Sequence, residues 1–98
     1  MSAAELGSEP LFALGRLLAT PGALAVLEAH GVQPASLLGR HLCGDWGELC
    51  QADVEANWAA LREGLRLLSS YQLADGEKVW IITEADRSAT TLLMPDDY

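Results

Sequence analysis

Basic residues are scarce in this chain. Six Lys and Arg stand against 14 Asp and Glu in 98 residues, a formal net charge of −8. Neither half is basic: residues 1–49 carry five acids and two bases, residues 50–98 nine and four. A nucleic-acid backbone is bound by displacing its counterions with Lys and Arg, so nucleic acid is not an expected partner. An acidic surface instead suits steering towards a basic protein. Cysteine is equally scarce. The chain has two thiols, Cys43 and Cys50, and no export signal, which predicts a cytoplasmic protein with reduced cysteines. The start, MSAAELGSEPLFALGRLLATPGALAVL, puts Glu5 and Glu9 where a secretion signal carries bases. No apolar run approaches the roughly 20 residues that span a bilayer. A glycine-rich phosphate loop is missing, as is a strand-linked GxG for a dinucleotide or methyl donor, so no cofactor is expected.

Apolar residues are plentiful. Half of the residues are hydrophobic, three Trp among them, enough for one core without cross-links. Residues 1–7 are small and polar and read as a loose N-terminus, with a single domain over 8–98. Ser8 reads as an N-cap ahead of Pro10, and Leu11, Leu14, Leu17 and Leu18 then recur at helical spacing. Thr20-Pro21 starts a second helix with Leu24 and Leu27, and Gly31 ends it. A short third helix carries Leu37, Leu38 and Leu42. After the loop HLCGDWGELCQAD, Asp53 is expected to cap a fourth helix bearing Val54, Trp58, Leu61 and Leu65, with Gly64 as its stop. From there the apolar period changes to two. Asp75-Gly76 is a hairpin signal, residues 78–84 a return strand, EADRS a second turn, and residues 88–94 a third strand stopped by Pro95. The expected fold is α+β: three to four N-terminal helices followed by a three-stranded antiparallel β-meander.

A two-residue loop at Asp75-Gly76 sets Tyr71 opposite Trp80 and Ser69 opposite Ile82. With Ala85 to Ser88 as the second loop, Ile82 meets Thr91 and Trp80 meets Leu93. Both faces of the central strand are then apolar. Helices cover one, and either the helices wrap round to the other or a partner protein or second copy covers it, as in a homodimer through the sheet.

The candidate sites are few. Glu84, Asp86, Arg87 and Ser88 bring acid, base and nucleophile types together in one turn. No His lies in that segment to activate Ser88, and an exposed turn does not set two carboxylates apart in pKa. An Asp-Arg-Ser turn more often holds itself together by local hydrogen bonds, with Arg87 paired to one of the acids Glu84, Asp86, Asp96 or Asp97. His41 with Asp45 offers a base and its orienter, joined by Asn57, Arg62 or Tyr71, as in a small hydrolase or nuclease. His30, His41, Cys43 and Cys50 have ligand chemistry for zinc, but no Cys-x-x-Cys or paired-His spacing, and no metal is expected. Trp46 reads as an anchor under its loop, its indole N–H bonded to a carbonyl. The residues expected to face a binding partner are Trp46, Glu84, Asp86, Arg87, Asp96 and Asp97.

GDWGEL, the Asp53-x3-Asn57 spacing, RLLSSY, and VWIITEADRSATTLLMPDDY together carry a resemblance over about residues 14–98. The chain resembles a family of small bacterial proteins borne on plasmids and integrative elements. Its members are labelled plasmid-related proteins and sometimes restriction-modification methylase subunits. The methylase label does not suit this chain, which lacks the cofactor glycine motif and an Asn-Pro-Pro-Tyr-type motif. The resemblance implies an accessory role in a mobile genetic element, exercised by protein–protein interaction. Inhibition of a host defence system, of anti-CRISPR or anti-restriction type, is one such role.

Overall fold

A computed structural model describes residues 9–98, so the loose N-terminus expected over 1–7 and the Ser8 cap lie outside the described residues. The elements are β1 (Arg16–Ala19), α1 (Pro21–Ala29), α2 (Pro34–Leu42), α3 (Gln51–Glu63), β2 (Leu67–Gln72), β3 (Lys78–Thr83), β4 (Ala89–Leu93) and a 3-10 turn at Pro95–Asp97. The four strands form one mixed sheet in the order β1-β4-β3-β2, with β1 parallel to β4 and the other pairs antiparallel. This corrects the expected architecture. The meander exists, but it is three-quarters of a four-stranded mixed sheet; the described residues form three helices, within the expected three to four.

The leucine-rich stretch expected as the first helix contains the fourth strand. Thr20 precedes a proline, which disfavours helical backbone, and sits extended at φ −76° and ψ 152°. Gly15 has φ +66°, and a Cβ there would lie 2.4 Å from the Ser88 carbonyl carbon. Only glycine lets the chain pass that close and turn into β1. Arg16 N–H then donates to Ser88 O and Thr20 N–H to Leu92 O, both at 2.9 Å.

The second hairpin has the expected register, with Trp80 opposite Leu93 and Ile82 opposite Thr91. The first is displaced by one residue: Tyr71 pairs with Val79 and Ser69 with Ile81. Its loop holds three residues, closed by Leu73 N–H donating to Glu77 O at 2.7 Å. Glu77 N–H also donates to Asp75 Oδ1 at 3.0 Å, an Asx bond that lengthens the turn beyond the two-residue form. A slip of one residue exchanges faces. Trp80 therefore lies on the side of the sheet away from Tyr71.

The inward face carries Tyr71, Val79, Ile81 and Leu92, which α1 and α2 cover with Ala23, Leu27, Leu37 and Leu38. Trp46, Ala60 and Leu67 form a second cluster with Phe12, Leu49, Val54 and Leu61. The outer face is neither wrapped by helices nor left bare. The chain's own C-terminal residues fold onto it, with the Tyr98 ring 5.9 Å from Trp80. Asp97 holds them there, accepting from Thr20 Oγ1 at 2.7 Å and Met94 N–H at 2.9 Å.

α3 seals the outer edge of β2. Cys50, not Asp53, is its N-cap residue, Asp53 lies in its first turn, and Gly64 closes it at φ 70°. Asn57 is buried, accepts the Leu68 N–H at 3.1 Å and donates to Leu68 O at 2.6 Å. One side-chain amide thus replaces a neighbouring strand. Leaving both groups of Leu68 without partners costs about 2–4 kcal/mol, so Asn57→Ala is expected to lower Tm by roughly 10–20 °C. Asn57→Asp, which sets a buried carboxylate oxygen against Leu68 O where the amide donates, is expected to be no better tolerated. A thermal melt of Asn57→Ala that overlays wild type would refute this role.

Candidate functional site

The residues with the most chemical potential meet inside the core. His41 is fully buried on the inward side of α2. Its Nδ1 lies 2.5 Å from Ser69 Oγ and its Nε2 2.9 Å from Thr83 Oγ1. Thr83 Oγ1 is 2.7 Å from Thr90 Oγ1, and Thr90 Oγ1 donates to Leu14 O at 2.8 Å. Each hydroxyl has one proton to give, so the terminal carbonyl sets every direction. Thr90 gives its proton to Leu14 and accepts from Thr83. Thr83 accepts from His41 Nε2–H, and Nδ1 accepts from Ser69. Phe12 and Trp46 stand edge-on to the imidazole, with centroids at 5.2 and 5.7 Å.

A Ser hydroxyl donating to an imidazole nitrogen is the hydrogen bond of a nucleophile to its base. Here, however, Ser69 and His41 are both 0% exposed, and the second ring nitrogen faces a threonine rather than a carboxylate. Burial pushes the His41 pKa down from 6.5 to about 4. The folded protein keeps this imidazole neutral while the unfolded chain protonates it below about pH 6.5. The resulting stability is therefore complete above that pH and is lost as pH falls towards 4. The arrangement locks a helix to three strands and offers no reactive group to solvent.

Asp45 is not the orienter of His41. Its carboxylate accepts from Arg40 Nε at 2.7 Å and from Gly47 N–H at 3.3 Å, and the Arg40 bond holds its pKa below the usual value. Arg40 in turn lies 4.5 Å over the Tyr71 ring, whose hydroxyl donates to Asp45 O at 2.7 Å. These contacts fold the Gly-Asp-Trp-Gly loop against β2, where Ser70 N–H donates to Trp46 O at 3.0 Å. Trp46 is 3% exposed, so its ring is not presented at the surface. Among the described residues its Nε1–H has no acceptor, contrary to the expected carbonyl bond. His30 sits apart at the end of α1, donating from Nδ1 to Val26 O at 2.9 Å, with Nε2 3.1 Å from Asp75. Cys43 is half-buried and Cys50 exposed, both as free thiols, and no three His, Cys, Asp or Glu converge among the described residues.

The 84–88 turn is a structural junction. Asp86 Oδ1 accepts Ser88 N–H at 2.9 Å, closing an Asx turn, and its pKa is lowered by its hydrogen bonds to Ser88. Arg87 takes a left-handed backbone, φ 62°, and forms no ion pair with the acids near it. Its guanidinium donates to carbonyls instead: Leu65 at 2.6 Å, Glu84 and Ala85 at 3.0 Å, and Ala60, on the last turn of α3, at 3.1 Å. It also stands 5.8 Å over the Phe12 ring. The ion pair in this region belongs to Glu84 and Arg66, 3.4 Å apart and both partly exposed. Asp96 is exposed, and Asp97 serves the Thr20 and Met94 contacts described above. Sequence reading of the turn overlooked the carbonyl end of α3 as the target of Arg87. The negative carbonyl end of a helix, which attracts a cation, is the signal that points to it.

No family model matches this chain, and neither a curated protein nor a solved structure is significantly similar to it.

Arg87→Ala is expected to destabilise the domain by about 2 kcal/mol, since several carbonyls lose a charged donor at once. Arg87→Lys should recover little, because an ammonium lacks the planar fork. Asp86→Ala removes one exposed Asx bond and should cost under about 1 kcal/mol. Equal melting curves for Arg87→Ala and Asp86→Ala would contradict this division of roles.

Proposed function

We propose that this protein is a cytoplasmic accessory factor of a mobile genetic element that acts by binding another protein, as an inhibitor of a host defence complex. The observation that supports this reading is the contrast between its reactive groups and its acids. His41, Ser69, Asn57 and Arg87 are each engaged in holding the fold together. Most of the described carboxylates lack a cationic partner. Among the described residues only Asp45, Asp75 and Glu84 have a cationic side chain within 4 Å. Glu48 and Asp53, with one base, Lys78, border a groove of about 360 Å³ on the outer face of the sheet, lined also by Leu68 and Trp80. Such a field draws a basic partner and speeds encounter more than it adds affinity. No helix among the described residues is long and apolar enough to cross a membrane. A hydrolase or nuclease using His41, Asp45 and the 84–88 turn finds less support, because its imidazole is sealed from solvent and its carboxylate is paired elsewhere.

Affinity capture from host cells, followed by reconstitution with the purified partner, tests the reading. Glu48→Lys with Asp53→Lys is expected to slow association at low salt by about tenfold or more, with the gap narrowing as salt rises. Binding unaffected by those reversals, or a measured turnover lost in Asp45→Asn with folding intact, would count against it.

A further inference from the structure

The two edges of the sheet are finished differently. On β2 the outward backbone groups have partners from the chain itself: Leu68 from the Asn57 amide, Ser70 from Trp46 O at 3.0 Å and Glu48 N–H at 2.6 Å. On β1 the bonds of Arg16 and Thr20 to β4 fix the phase. Alternate residues face β4, so Leu17 and Ala19 turn their N–H and C=O groups outward. Among the described residues nothing bonds to those four groups. The flanking side chains are apolar and open, Leu17 being 56% and Leu18 42% exposed. Edge strands are ordinarily blunted by charge, proline or a bulge. β1 is short, four residues ended by Thr20-Pro21, but no proline or bulge falls within it and Arg16 is the only charged residue between Pro10 and Leu27.

We propose that β1 docks a second copy of this chain, edge to edge and antiparallel, joining the two sheets across a two-fold axis. The backbone phase selects the register. Outward-facing Leu17 pairs with Ala19 of the second copy, each exchanging N–H and C=O, and Leu18 meets its own counterpart on the axis. Arg16 then stands opposite an uncharged Thr20. The charge distribution favours self-pairing over a different strand. Two copies of a chain with net charge −8 repel across most of their surfaces, but β1 and α1 up to Leu27 contain no acid. A basic segment, which the rest of the protein attracts, meets Arg16 at this edge and a single carboxylate, that of Asp97, already bonded to Thr20 Oγ1 and Met94 N–H. The pairing is independent of the function proposed above.

Sedimentation velocity over a concentration series tests this directly. The full chain is expected to approach twice the monomer mass as concentration rises. Leu17→Lys with Leu18→Lys is expected to remain monomeric with an unchanged circular dichroism spectrum, since both side chains are exposed. In a Cys43→Ser, Cys50→Ser background, Leu18→Cys places two thiols on a non-hydrogen-bonded cross-strand pair, where Cβ atoms lie about 4.5–5.5 Å apart, near the span of a disulfide. Mild oxidation should link it into a covalent dimer while Leu24→Cys stays largely monomeric. A monomer at every concentration up to about 1 mM would overturn the proposal. So would a dimer that survives both Lys substitutions, or equal cross-linking of the two Cys variants.

Discussion

The buried imidazole of His41 is the contact on which most of the tertiary arrangement converges. It joins α2 to β2 and β3 by its own two nitrogens, and to β4 and the Leu14 carbonyl through Thr83 and Thr90. A polar chain in a low-dielectric interior is costly when incomplete and directional when complete. Here every link has a partner, and the carbonyl at its end admits only one set of proton positions. Hydrophobic burial is non-directional and gives the molecule its compactness. The His41 chain specifies which strand positions lie beneath which turn of helix.

The same logic recurs at the periphery. Asn57 stands in for a strand beside Leu68, and Arg87 reaches the carbonyl end of α3 from a hairpin turn. In each case a side chain with catalytic credentials is engaged by backbone groups, the N–H and C=O of Leu68 in one and the carbonyls of Ala60 and Leu65 in the other. Functional readings of such residues from type and proximity alone are weak for that reason. What remains uncommitted is the acidic surface and the β1 edge.

Much of the fold was legible in the sequence. The change of period after Gly64, the Asp75-Gly76 turn signal and the EADRS turn mark three antiparallel strands, and the loop of residues 85–88 sets the second hairpin correctly. The first hairpin was misread by one position because Asp75 bonds Glu77 N–H, a side-chain effect that loop composition does not reveal. β1 was illegible for a different reason. Its four residues pair in parallel with a strand more than 70 positions away, so no local pattern announces it. The His41 site lay between these cases. Ser69, Thr83 and Thr90 are hydroxyl residues at inward positions of an otherwise apolar face. In the correct register they fall into line beneath a helix-borne histidine.

The protonation state of His41 tests the account most directly. Nitrogen-15 NMR of the imidazole across a pH titration reports both tautomer and charge. A neutral ring protonated at Nε2 is expected at pH 7, persisting until the pH approaches about 4. A ring protonated at Nδ1, or one that gains its charge near the ordinary value of 6.5, would contradict the buried hydrogen-bond chain.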